Sequence, residues 1–130
     1  MIQRFLRCEI CGNIVAVVEA SGVTPMCCGQ DMTEMVAQTV DAGAEKHVPV
    51  WKLNDNMVHV TVGKDEHPMM PEHYIQWISI RTDRGNQRKE LKAGNPPKAC
   101  FALCDGEKLL EVYAYCNVHG LWKADAGKCC

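Results

Sequence analysis

The stretch Val58-His59-Val60-Thr61-Val62-Gly63 decides the fold class. Three valines alternate with a histidine and a threonine, a period of two that buries one face of a strand and wets the other. Outward from it, residues 47–53 form another β-rich run, and the intervening Asn54-Asp55-Asn56 is turn-rich. The two arms therefore predict a hairpin. Residues 74–82 (YIQWISIRT) are β-branched and aromatic, and Asp83-Arg84-Gly85-Asn86 ends them. Further strands are expected at 87–92, 98–104, 109–115 and 120–123, separated by turns such as Asn95-Pro96-Pro97 and Asp105-Gly106. Seven short strands in under a hundred residues predict an all-β chain whose larger part is an immunoglobulin-like antiparallel sandwich. No long helix, internal repeat or low-complexity segment is visible.

Composition narrows the function classes. Of 130 residues, 47% are apolar and 23% charged, enough to fill a core and remain soluble, so disorder is excluded. Net charge is −2, without the basic surplus that a nucleic-acid binder needs. No apolar run approaches the length of a membrane span. Cys8 and Cys11 fall where a secretory signal would need its apolar core, so a cytoplasmic location is expected. Nine cysteines are then the anomaly: an odd number cannot pair completely, and a reducing compartment opposes stable disulfides. Metal binding is the first expectation.

The cysteines also divide the chain. Cys8, Cys11, Cys27 and Cys28 lie near the start, whereas Cys100, Cys104, Cys116, Cys129 and Cys130 lie near the end. Residues 38–44 (QTVDAGA) are small and polar and read as a linker. The expected domains are 1–37, a small metal-binding β domain with four cysteines, and 38–130, the sandwich. A piece as small as the first needs a staple such as a metal, because its core cannot be large.

The string C-E-I-C-G-N at residues 8–13 is followed by C-C-G-Q at 27–30. A Cys-x-x-Cys turn lets two sulfurs face one ion, and Gly12 tolerates the backbone of such a knuckle. Cys27 and Cys28 supply a second pair, adjacent where a zinc ribbon would use a spaced one, so their side chains must splay. Four thiolates suit zinc or a single iron, and ligand count does not separate the two.

A second group gathers around Cys116-Asn117-Val118-His119-Gly120, which follows a strand. His47 begins another strand beyond the linker. His67 and His73 are six apart, with Pro68 and Pro71 favouring a stiff extended loop. Imidazole and thiolate together suit iron, copper or zinc. Five ligands on iron leave a sixth position open, where small ligands react. His59 alternates outward between valines and reads as a solvated strand residue. Cys100 and Cys104, four apart on an expected strand, read as buried free thiols. Cys129 and Cys130 read as a frayed tail, and Met69 and Met70 as shields between two ligands.

At these residues the chain resembles desulfoferrodoxin, the two-iron form of superoxide reductase. C-E-I-C-G-N-I-V with C-C-G-Q resembles that family's desulforedoxin-like iron domain. E-K-H-V-P, H-P-M-M-P-E-H-Y-I and C-N-V-H-G-L-W, at residues 45–49, 67–75 and 116–122, resemble its catalytic segments in the family's order. The resemblance implies one iron on Cys8, Cys11, Cys27 and Cys28. It implies a second on His47, His67, His73 and His119 in a plane, with Cys116 axial. The implied reaction is one-electron reduction of superoxide to hydrogen peroxide, without release of dioxygen. Lys46 aligns with the lysine that attracts superoxide and helps deliver protons. Glu45 aligns with the glutamate that closes onto the sixth position of ferric iron. The family further implies a rubredoxin-like electron donor and a homodimer joined through the small domains.

Two other readings compete. A cupredoxin-like electron carrier would share a sandwich and a late Cys-His pair, but it commonly adds a Met soon after the His, and the last Met here is Met70. A non-catalytic zinc-binding module would explain the first cluster and leave the second without purpose.

Overall fold

The computed structural model describes residues 3–41 and 46–126. Two compact units divide the chain, Met1–Val36 and Ala37–Cys130. Neither contains a helix among the described residues.

In the first unit β1 (Phe5–Arg7) pairs antiparallel with β2 (Ile14–Ala16) on one side and with β5 (Thr33–Glu34) on the other. A two-stranded ribbon of β3 (Met26–Cys27) and β4 (Gln30–Asp31) completes it. Strands this short bury little: Leu6, Cys8 and Met32 form the core cluster, with Val17 and Cys27 packed against it. Such a cluster is too small to offset the entropy of ordering the stretch. One of its three members is itself a candidate ligand.

Among its described residues the second unit has seven strands in two antiparallel sheets. One sheet orders β10 (Lys98–Ala102), β7 (Met57–Val62) and β6 (Pro49–Asn54). The other orders β12 (Gly120–Asp125), β11 (Leu109–Cys116), β8 (Ile75–Thr82) and β9 (Gly85–Glu90). The period-two reading of β7 holds: Val58, Val60 and Val62 are fully buried while His59 stays exposed. Those valines pack in one core with Ile75, Ile78 and Ile80 of β8, Phe101 of β10, and Val112, Ala114 and Cys116 of β11. Burial of each large aliphatic side chain stabilises by roughly 1.5–3 kcal/mol, so this unit carries a core of its own.

Where the sandwich ends, the register of β8 against β11 changes. Tyr115 pairs with Trp77 but Cys116 pairs with Ile75, which leaves Gln76 as an extra residue. Such a bulge re-aims side chains and is common beside active sites. Here it returns Ile75 to the core-facing row, beneath Cys116.

Two expectations are corrected. Cys100 and Cys104 are exposed rather than buried. Phe101 and Leu103 take the inward positions, so the alternation turns both cysteines out, and β10 ends at Ala102, before Cys104. Cys100 lies opposite His59, its Sγ 3.2 Å from Nδ1. Residues 38–41 are also no loose spacer. Gln38 donates its backbone N–H to Leu121 and accepts from Lys123, both at 2.9 Å, so it docks on β12. Cys129, Cys130 and Glu45 lie outside the described residues.

Candidate metal centres

The first centre is built from two turns. Cys8 closes β1, and Gly12, at φ 83°, lets the chain reverse so that its N–H reaches the Cys8 carbonyl at 2.9 Å. Cys27 ends β3, and Cys28 takes a left-handed φ of 55°, which a residue with a Cβ adopts at some cost. That conformation splays the side chains of adjacent ligands. The four sulfurs lie within 4.8 Å of one another. Cys11 Sγ is 3.7 Å from Cys27 Sγ, which is 4.0 Å from Cys28 Sγ. A tetrahedron with metal–sulfur bonds of ~2.3 Å has edges of about 3.8 Å, so the sulfurs stand at coordination spacing.

Electrostatics agrees. The Cys11 backbone N–H, 3.4 Å from Cys8 Sγ, helps draw that thiol down to about 6. The neighbouring sulfurs of Cys11 and Cys8 push Cys28 up to about 12 and raise Cys27. Four thiolates cannot coexist this closely unless a cation balances them.

The second centre draws on three separate segments at one end of the sandwich. His47 enters β6, His67 and His73 flank the loop between β7 and β8, and Cys116 and His119 flank the turn from β11 to β12. One donor atom from each lies within 4.8 Å of all the others. Cys116 is fully buried, His67 is 2% exposed, and His119 is exposed, so the cluster has a dry floor and a wet mouth.

Hydrogen bonds decide which nitrogen each ring offers. His67 Nδ1 lies 2.7 Å from the Pro68 carbonyl and must carry the proton, which leaves the Nε2 lone pair for the cluster. His47 Nδ1 lies 2.9 Å from Asp41 Oδ1, again freeing Nε2. His119 turns Nδ1 inward, 3.1 Å from His47 Nε2 and 3.9 Å from Cys116 Sγ. His67 Nε2 and His73 Nε2 are buried without any hydrogen-bond partner. Orphaned buried nitrogens cost free energy, and a cation between them supplies the missing partner. Burial, foremost, and the other imidazoles hold His67 down at about 4 and lower His73 as well. Both rings are therefore neutral, the form that binds metal. Three Nε2, one Nδ1 and one sulfur would suit a borderline ion such as iron, and the exposed ring of His119 marks the solvent side.

Lys46, beside His47, is exposed, and its charge contributes to the lowering of His73. Met69 is half-buried and its sulfur accepts the Ile75 N–H at 3.4 Å, whereas Met70 is 54% exposed. The expected ligands converge in both clusters; what sequence reasoning missed is their support. Asn117 accepts the Tyr74 N–H at 2.9 Å and donates to the Glu72 carbonyl at 3.1 Å, tying the His73 segment to the Cys116–His119 turn. Gln38 Nε2 donates to the His119 carbonyl at 2.8 Å. Trp122 stacks on His47 with ring centres 4.6 Å apart. Asn117 and Trp122 lay inside a motif and carried a local signal; Gln38 lay outside all of them.

Comparison with known proteins agrees with this chemistry. The Desulfoferrodoxin family matches residues 39–125, and the family "Desulfoferrodoxin, N-terminal domain" matches residues 3–35. A desulfoferrodoxin homolog of Archaeoglobus fulgidus is 45% identical over 123 residues, covering 95% of this chain and 97% of its own. A desulfoferrodoxin of Syntrophotalea carbinolica is 43% identical over 119 residues, covering 92% and 93%. The crystal structure of the superoxide reductase from Treponema pallidum superposes with a TM-score of 0.83 at 33% identity, covering 95% of this chain and 98% of that one.

Proposed function

The chain belongs to the desulfoferrodoxin family, and from that premise we infer how it works as a superoxide reductase with two iron centres. The observation that carries the reading is the second cluster: four imidazoles and the buried Cys116 sulfur gathered within 4.8 Å of one another, with His119 exposed. Bound there, ferrous iron supplies the one electron that turns superoxide, with two protons, into hydrogen peroxide. We assign its ligands as His47, His67, His73, His119 and Cys116, and those of the other iron as Cys8, Cys11, Cys27 and Cys28.

Each residue has a physical task. The buried Cys116 accepts the His119 backbone N–H at 3.4 Å, a bond that aims its sulfur into the cluster from the dry side. The neutral imidazoles of His67 and His73 add no charge that would repel a cation. Lys46 at the wet mouth attracts the anionic substrate and relays protons through water. Glu45, by its alignment with the family's glutamate, would supply a carboxylate ligand suited to the ferric form of that iron.

Four imidazoles exceed what a cupredoxin-like site uses, and a zinc staple does not require an open cluster. The donor of electrons is assigned to a rubredoxin-like protein. A homodimer is supported by the apolar side chains that the first unit leaves exposed, among them Ile10, Val18, Val23, Met26 and Val36. We assign the chain to the cytoplasm, a compartment in which exposed thiols such as those of Cys100 and Cys104 stay reduced. No described helix is long and apolar enough to cross a membrane.

Rapid mixing of the reduced protein with superoxide tests the activity. One peroxide should form for each superoxide consumed, with no dioxygen from the protein. Dioxygen in the one-to-two ratio of dismutation would overturn the reading.

A further inference from the structure

Asp41 lies six residues before His47 and belongs to none of the motifs. Its side chain is 3% exposed, and both of its oxygens are engaged. Oδ1 faces His47 Nδ1 at 2.9 Å. Oδ2 accepts the backbone N–H of His47 at 3.2 Å and that of Val48 at 2.9 Å. Burial alone would raise this carboxyl, but the Val48 and His47 bonds outweigh it and hold the group below its ordinary value. One buried carboxylate therefore ties the two ends of the stretch that carries Glu45 and Lys46, and orients the ligand that follows them.

A second contact holds the same stretch from the other side. Gly63 has φ 84°, and a Cβ built on it would lie 2.5 Å from the Lys46 carbonyl oxygen and 2.4 Å from that of Asp65. Its N–H donates to the Val48 carbonyl at 3.2 Å. The Lys46 backbone thus lies in a notch that only glycine leaves open.

We propose that Asp41 is a positioning residue for the catalytic centre, its carboxylate fixing the tautomer of His47 and, with the Gly63 notch, the placement of Lys46. This rests on the superoxide reductase reading given above. The tautomer argument is chemical. A carboxylate only accepts, so His47 must carry its proton on Nδ1 and present the Nε2 lone pair inward. Asparagine cannot replace it. With its oxygen on the two backbone amides, its NH2 would donate to Nδ1 and push the ring proton to Nε2, which withdraws the inward lone pair.

The full-length iron-loaded protein is compared with Asp41→Asn and Gly63→Ala. Asp41→Asn should lose affinity for the second iron by roughly 10–100-fold, as loss of the partner of a ligating histidine does elsewhere. Its second-iron potential should rise, because a negative charge that favoured the ferric form has gone, while the first-iron spectrum stays unchanged. Gly63→Ala should leave that potential in place and slow the encounter with superoxide several-fold, with a weaker dependence on ionic strength. An Asp41→Asn protein with unchanged iron affinity and potential would overturn the proposal, as would a Gly63→Ala protein with an unchanged encounter rate.

Wild-type protein supplies an arm that needs no variant. Nitrogen-15 NMR of the ferrous protein, labelled at histidine, should show His47 protonated on Nδ1; protonation on Nε2 would overturn the assignment. Failure of the activity itself is read separately, from peroxide yield in the wild type, and leaves the tautomer measurement standing.

Discussion

The two metal centres of this chain are made in opposite ways. The first takes all four ligands from residues 8–28, on two turns, in a unit whose core cluster is Leu6, Cys8 and Met32. The second takes ligands from residues 47 to 119, at loops and strand ends that a large valine and isoleucine core already holds. In the first a bound metal would organise the fold; in the second the fold organises the ligands. The supporting shells differ in the same sense. Cys8 is helped by the N–H of Cys11, three residues on, whereas His47 is held by Asp41 and Trp122, and His119 by Gln38 from 81 residues away.

Replacement of the one sulfur in the second centre should have the largest effect. Cys116→Ser should remove the iron–thiolate band of that centre and cut superoxide reduction at least ~100-fold, beyond what loss of a supporting partner costs. The sandwich should remain folded, because its core does not depend on the ion. An unchanged band would place another cysteine on the iron and dissolve the contrast drawn above.

Cys11→Ser tests the opposite half. It should abolish the first iron signal and unfold the first unit, seen as loss of protected amides in β1 and β5, while the second centre still reacts with superoxide at the wild-type rate. Loss of both signals together would show that the centres are coupled rather than independent.

A smaller effect is expected at the wet mouth. Lys46→Ala should slow the bimolecular encounter by about tenfold, within the range of steered association, and weaken its dependence on ionic strength. Glu45→Ala should leave that encounter nearly unchanged and shift the ferric spectrum instead. Equal slowing in both variants would break the division of roles between neighbours.

The smallest effect on either centre should come from the outer face of the four-stranded sheet. Burial pushes Glu111 up, but hydrogen bonds from Arg81 at 2.7 Å, Tyr113 at 2.7 Å and Lys123 at 3.0 Å outweigh it and hold the carboxyl at about 2. A depressed carboxyl stabilises the fold fully above its unfolded value near 4.5, and that contribution is lost as pH falls from there toward 2. Glu111→Gln should therefore cost roughly 1–2 kcal/mol at neutral pH, with the gap to wild type closing between those values. Urea unfolding across that range measures it, and both iron spectra should be untouched at pH 7.

Seven strands, the four-sulfur cluster and the five candidate ligands of the second centre were all legible in the sequence. Alternation in β7 follows from the pleat, and a Cys-x-x-Cys turn needs only its own residues to aim two sulfurs. The three motifs around the histidines are likewise local strings. Cys100 and Cys104 were misread for an instructive reason: in a wholly apolar run such as residues 99–104, composition does not say which parity faces inward. Packing of Phe101 against the core decided that.

What only the tertiary structure decided is how the local pieces are held to one another. Asp41 and Gln38 sit in a stretch whose small polar residues read as a spacer, yet one fixes an imidazole tautomer and the other braces the turn of a ligand. Gly63 could have been any turn glycine, until the Lys46 carbonyl is found where its Cβ would stand. The physical reason is range. Strand period, turn conformation and ligand spacing are settled by neighbours along the chain, so they are written in sequence order. Hydrogen bonds that orient a ligand are settled by neighbours in space, and those exist only after two sheets have closed on a common core.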